Sequence, residues 1–174
     1  MLPSPSDTAA GGTMHSLYGH TMGTSWSVKL VAPTRTDSHA LHAGIQAQLD
    51  EVVAQMSTWE PDSDIVRFNE AHADTWHALP DGFRSVLSCA LEIARLSDGA
   101  YDPTVGPLVA AWGFGASANS RHVPDAAVLS AAQAHVGWQR LAVADGQRVL
   151  QPGGLQLDLS AIAKGYGVDR VARF

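Results

Sequence analysis

Asp158-Leu-Ser-Ala-Ile-Ala-Lys164-Gly-Tyr-Gly-Val-Asp169 is the stretch on which the reading of this chain turns. Just before it, Leu155, Leu157 and Leu159 alternate with Gln156 and Asp158. That period of two predicts a strand with one buried face. Ser160 then stands as the N-cap of a helix carrying Ala161, Ile162, Ala163, Val168 and Val171,. A helix start offers free N–H groups and a positive dipole end, both of which favour phosphate. Lys164, one turn in, adds a full positive charge. The pattern is neither a P-loop nor GxGxxG, so a strand, a capped helix and a solvated lysine account for it equally well.

Upstream, Trp26, Val28 and Leu30 alternate with Ser27 and Lys29. The runs His15 to Met22 and Ser25 to Ala32 therefore read as a β-hairpin turning at Gly23-Thr24. Leu41, Ile45, Leu49, Val52, Val53 and Met56 recur at helical spacing and predict a helix from Ser38 to about Ser57,. A loop at 60–64 leads to a short helix over Ile65 to Ala71, capped by Ser63 or Asp64. A short strand is expected at Thr75 to Leu79. A longer helix follows from Asp81 to Leu96, stopped at Gly99. After an irregular segment at 100–115, where Pro107 suits the start of a short helix, Asp125 to His135 reads as helix. Strands at Gln139 to Ala144 and Gln147 to Leu150 flank Asp145-Gly146, a two-residue hairpin signal. Hairpins mixed with amphipathic helices, without repeated βαβ units, predict an α+β fold: a mixed or antiparallel sheet with flanking helices.

Composition narrows the function. The chain has 174 residues, the size of one ordinary domain, and 45% hydrophobic content, enough for a substantial core,. Its net charge of −6, with no basic cluster, argues against nucleic acid and anionic membrane as main partners,. The single cysteine, Cys89, lies in an apolar helical pattern and is expected to be a core thiol,. The Ser, Pro, Gly and Thr bias through residue 14 predicts a flexible tail, with one domain over 15–174,. The last helix runs to Phe174, and nothing after it in the sequence is there to pack on its apolar face. This points to a chain cut in mid-fold, and to self-association as one way of covering that face.

Three further clusters bear on chemistry. Tyr101-Asp-Pro-Thr-Val-Gly-Pro107 runs on to Trp112-Gly-Phe-Gly115 and offers two rings beside glycines, forming an apolar slot with Asp102 as an acceptor. An Asx-turn at Asp102 with core aromatics is the simpler account of the same residues. Trp59 follows a helix end, where an indole either stacks on a flat ring system or covers core. Eight histidines are scattered without HxH or HxxxH spacing; His39 and His42 alone stand three apart. That is a weak metal signal.

Taken in order, four segments resemble the FAD:protein FMN transferase (ApbE) family. They are Met22-Gly-Thr24; Met56-Ser-Thr-Trp59 with Ser63 and Arg67-Phe-Asn69; Ser97-Asp-Gly-Ala-Tyr-Asp102-Pro-Thr-Val-Gly-Pro-Leu108 with Trp112-Gly-Phe-Gly115; and Asp158-Leu-Ser-Ala-Ile-Ala-Lys164-Gly-Tyr166. The resemblance implies an ApbE-like α+β fold that holds FAD and Mg²⁺ and moves FMN from FAD to a Ser or Thr hydroxyl of an acceptor protein, with AMP leaving. It implies that Met22 and Trp59 flank the isoalloxazine, Trp59 standing where the family commonly has Tyr. Ala100, Tyr101 and Asp102 would contact FAD, Asp158 and Lys164 would line the ribityl-pyrophosphate path, and the carbonyl of Ala161 would be a Mg²⁺ ligand. Family members are usually longer than this chain by as much again. The resemblance therefore covers the N-terminal portion only, with a partial metal site; alone it is expected to bind FAD weakly and transfer no FMN. The catalytic groups are not assigned. Family members are often exported, which implies the bacterial periplasm or the periplasmic face of the inner membrane; the leaderless residues 1–16 admit a cytoplasmic place. A FAD-hydrolysing enzyme, a flavin carrier and a self-associating module are the other readings.

Overall fold

A computed structural model describes residues 12–116, 123–144 and 148–174. It opens with a hairpin of β1 (Gly12–Thr21) and β2 (Thr24–Pro33), antiparallel, with Leu17 opposite Val28. The strand starts at Gly12, so residues 12–14 belong to the hairpin rather than to a tail. The turn is Met22-Gly23, one residue earlier than the sequence suggests. Both residues have positive φ, 49° and 70°. Two left-handed central residues match the right-handed twist of the flanking strands. Glycine adopts that conformation freely; a methionine there is strained and needs compensation. Its side chain supplies it by packing into the main core.

The inner face of the hairpin lies on α1 (Ser38–Met56). Asp37, not Ser38, caps this helix: its Oδ1 accepts from the His39 and Ala40 N–H groups at 2.9 and 3.1 Å. α2 (Asp64–Asn69) follows, capped by Ser63, whose Oγ accepts from the Val66 N–H. β3 (Thr75–Ala78) leads into α3 (Asp81–Leu96). α4 (Gly106–Ala111) is short, and α5 (Ala126–Gln133) begins after its cap Asp125. The expected strand over 139–144 shrinks to β4 (Val143–Ala144), because a 3₁₀ turn occupies Trp138–Arg140. β5 (Arg148–Gln151) pairs antiparallel with both β3 and β4. The predicted turn at Asp145-Gly146 lies outside the described residues. α6 (Ser160–Arg173) closes the chain. The architecture is α+β, as the alternation of periods implied.

The core gathers Val52 and Met56 of α1, Ile65 and Phe68 of α2, Phe83 and Leu87 of α3, and Leu155, Leu157 and Leu159. Each fully buried leucine stabilises the fold by about 1.5–3 kcal/mol. Cys89 does not join them; it is exposed on α3, away from the face that buries Phe83, Val86, Leu87, Ala90 and Ala94. The last helix is also not bare. Ala163 and Gly167 are buried, Val171 packs with Leu17, Ile45 and Leu49, and the Phe174 ring covers Gly44. Arg170 ties α6 to α1 through Gln48 and Glu51, the latter at 2.6 Å. The observation that favoured self-association is therefore removed. Among the described residues no helix is long and apolar enough to cross a membrane.

Candidate flavin site

Three abutting clefts meet at Trp59. One, of ≈ 460 Å³, is lined by Ala100, Tyr101, Asp102, Phe114, Asp158 and Ala161, with Thr58 and Trp59 on its rim. A second, of ≈ 360 Å³, adds Asn69, Glu70, Gly106 and Gln156 while keeping Trp59, Phe114 and Asp158. A third, of ≈ 70 Å³, lies between the hairpin turn and α6 and is lined by Met22, Met56, Ser160 and Lys164, again with Trp59. All eight residues singled out from the sequence thus border one continuous depression, although they come from four separate segments. Thr58, Ser160 and Phe114 complete it. Phe114 belongs to the aromatic slot and Ser160 to the helix start that the sequence offers; Thr58 carries no signal of its own.

Local bonding explains how each group is presented. Trp59 is 66% exposed, which is unusual for so large an apolar ring,. Its loop is nonetheless held: the buried Ser63 Oγ donates to the Ser57 carbonyl at 2.7 Å, and the Trp59 N–H donates to Ser57 Oγ at 3.2 Å. A fixed loop offering a bare indole suits stacking on a planar ring.

Asp102 forms the Asx-turn. Its Oδ1 accepts from the Thr104 N–H at 2.8 Å and from Thr104 Oγ1 at 2.6 Å, and its Oδ2 accepts from the Trp138 N–H at 3.2 Å. Both carboxylate oxygens already serve the fold, joining the loop after α3 to the 3₁₀ turn. Thr104 is fully buried and receives the Gly137 N–H. Asp102 therefore borders the cleft while acting as a structural joint.

Ser160 does not cap the last helix but is its first residue; Leu159 stands at the N-cap without a side-chain bond, and Asp158 just before it holds the first helical N–H. The Asp158 Oδ1 accepts from the Ser160 N–H at 2.8 Å, and its own N–H donates to the Pro103 carbonyl at 2.8 Å. The 155–159 segment is not a ladder strand. It makes one parallel bridge, Gln156 to Val105, with its three leucines fully buried.

Tyr101 carries a buried hydroxyl that has no hydrogen-bond partner among the described residues. Burial first, then the charges of Asp158, Cys89 and Asp102, push its phenol above the ordinary tyrosine value,. Tyr101 itself lines the first cleft, with its hydroxyl buried behind that surface. Such a group costs stability until something accepts from it. Among the described residues no cluster of three or more His, Cys, Asp and Glu side chains stands ready for a metal. The donors near Ala161 are oxygens, from Asp158, Ser160 and the helix backbone.

The chain is similar to proteins already known. The FAD:protein FMN transferase of Klebsiella pneumoniae (strain 342) is 39% identical, over 98% of this chain and 49% of its own length. That of Vibrio cholerae serotype O1 is 39% identical, over 91% of this chain and 48% of its own. Among solved structures, the flavin transferase ApbE from Vibrio cholerae matches with a TM-score of 0.88 at 37% identity, covering 93% of this chain and 53% of that one. The apo form of the Pseudomonas stutzeri flavinyl transferase ApbE gives 0.86 at 37%, covering 93% and 54%. This chain spans about half the length of the curated relatives it matches. The ApbE family profile matches residues 22–174, from the strained methionine of the hairpin turn to the end of α6, and the chain belongs to the ApbE family.

Proposed function

We infer that this chain carries the flavin-nucleotide half of a FAD:protein FMN transferase site, which passes FMN from FAD to a Ser or Thr hydroxyl of an acceptor protein and releases AMP. The observation that carries the reading is that Tyr101 and Asp158 line one cleft and Met22 and Lys164 a second, with Trp59 and Ser160 common to both, although these residues come from four distant segments. Relatives of high similarity are named for that reaction.

The roles follow from the chemistry of the groups. Trp59 and Met22 give the isoalloxazine an apolar, polarisable wall. Lys164, one turn into α6, attracts the pyrophosphate by its charge. Tyr101 lines the wall of the first cleft. The acceptor hydroxyl attacks one phosphorus in line, and negative charge grows on the bridging oxygen that leaves with AMP. Lys164 stabilises that charge, and the walls supply positioning.

The oxygens here fit Mg²⁺, which is commonly bound through one or two carboxylates and substrate phosphates while keeping water. Asp158 and the Ala161 carbonyl are the groups of this chain that would hold it. Bound there, Mg²⁺ supplies charge neutralisation at the phosphates.

The test is product analysis of the 174-residue chain with FAD, Mg²⁺ and a Ser/Thr-bearing acceptor. FMN attached to the acceptor with free AMP supports transfer. Free FMN with AMP supports hydrolysis instead. Bound FAD with neither product is the outcome expected of this portion alone. Absence of FAD binding would overturn the reading.

A further inference from the structure

The segment that presents Asp158 has no neighbouring strand to hold it. Side chains from α2 and β5 take that place. Gln151, fully buried, donates from Nε2 to the Phe68 carbonyl at 2.9 Å and to the Leu155 carbonyl at 3.0 Å, while its Oε1 accepts from the Gly153 N–H at 3.0 Å. Two residues on, Asn69 repeats the device. Its Nδ2 donates to the Leu157 carbonyl at 3.0 Å and its Oδ1 accepts from the Leu157 N–H at 2.8 Å. One carboxamide that both gives and takes at a single residue reproduces what a neighbouring antiparallel strand does for a hydrogen-bonded pair. It fixes both peptide planes of Leu157, and with them the direction in which the Asp158 side chain leaves the backbone. The Asp158 N–H then closes on Pro103, and its carboxylate on the Ser160 N–H, where α6 begins.

We propose that Asn69 is a positioning residue, a surrogate strand whose carboxamide sets where the Asp158 carboxylate and the start of α6 stand in the cleft, with Gln151 securing the segment upstream. The inference rests on the flavin-site reading for its functional consequence. Its structural part stands on these bonds alone. The requirement for an amide is strict. An aspartate at 69 keeps an acceptor for the Leu157 N–H but strands the Leu157 carbonyl. An alanine strands both groups, and a buried polar group without a partner is costly.

The experiment compares the full chain with Asn69→Asp, Asn69→Ala and Val86→Ala, the last a core change in α3 that touches none of the clefts. Amide hydrogen exchange, thermal midpoint and the FAD dissociation constant are measured for each. In Asn69→Ala, protection at Leu157 and Ser160 falls by about tenfold more than at α3 amides, and the FAD dissociation constant rises by about tenfold. Asn69→Asp, with one bond kept, lies between Asn69→Ala and the unaltered chain in affinity. Val86→Ala lowers the thermal midpoint but leaves FAD affinity within about twofold. Unchanged protection at Leu157 and Ser160 in both Asn69 variants overturns the proposal. So does FAD affinity that tracks thermal midpoint alike in all three variants. If the unaltered chain binds no FAD, the flavin reading fails separately, and the exchange data alone decide whether Asn69 positions the segment.

Discussion

Replacing Gly106 by alanine sets two physical effects of opposite sign against each other. Gly106 is the first residue of α4. Judged by helix propensity alone, alanine gains at most about 1 kcal/mol over glycine there. The structure predicts the reverse. A Cβ at Gly106 would stand 2.8 Å from the Gln156 carbonyl oxygen, 2.9 Å from Gln156 Cβ and 3.2 Å from Gln156 C. Two of these three atoms are backbone, so no side-chain rotation relieves the clash. The contact lies beside the bridge between Val105 and Gln156, next to the Asp158 bond to Pro103. Overpacking of this kind costs about 1–3 kcal/mol. After the propensity gain, Gly106→Ala should lose about 1–2 kcal/mol, which at about 2–4 °C per kcal/mol for a chain of this size lowers the midpoint by about 2–8 °C. Gly165→Ala is the control. Gly165 lies in α6 with nothing within 4 Å of its would-be Cβ. There propensity acts unopposed, and the midpoint should rise by about 2–4 °C. Calorimetry or circular dichroism melts of the two variants read the difference. If Gly106→Ala rises as Gly165→Ala does, the close approach of the two cleft-floor segments is refuted.

Other expectations follow from the same bonds. Tyr101→Phe removes a buried hydroxyl without a partner among the described residues and should stabilise the free chain by about 1 kcal/mol in a denaturant melt. The alkaline limb should also change: with the phenol value raised in the folded state, Tyr101 contributes stability below its unfolded value near pH 10 and loses it as pH rises through the folded value, so the variant should lose less stability above about pH 10. Asp102→Ala leaves the Thr104 and Trp138 N–H groups without their acceptor and should cost about 2 kcal/mol of folding stability even without FAD, measurable by the same melt. Cys89 should react completely with a thiol reagent in the native chain, without denaturant, because it is exposed; protection until unfolding would contradict that placement.

What could be read in the sequence was what local periodicity controls. α1 and α3 fall where their apolar spacing puts them, and all three strand pairings described are antiparallel. Four misplacements have other causes. Met22 has no local reason to sit in a left-handed turn; the compensation comes from its packing near Gly167, far along the chain. The leucine alternation at 155–159 does bury one face, yet its partners are the Asn69 and Gln151 amides rather than a strand. Cys89 sits about 120° around α3 from the centre of its buried face, so membership of an apolar run did not make it core. Ser160 is the first residue of α6 rather than its cap, and its N–H is held by the Asp158 carboxylate two residues back. The site behaved likewise. Single motifs left bland readings open, and for Asp102 the Asx-turn is what the fold contains. Only the resemblance across four ordered segments predicted that they meet, because convergence on Trp59 is a tertiary fact.

The most direct measurement is a FAD titration followed through the indole N–H signals of the five tryptophans. The cleft account predicts that the Trp59 signal moves as FAD is added, even if affinity is weak. The Trp26 signal, bonded to Gln46 under the hairpin, and that of Trp76 on β3 should stay in place. Movement of Trp26 or Trp76 with Trp59 unmoved, or no movement at millimolar FAD, would contradict it.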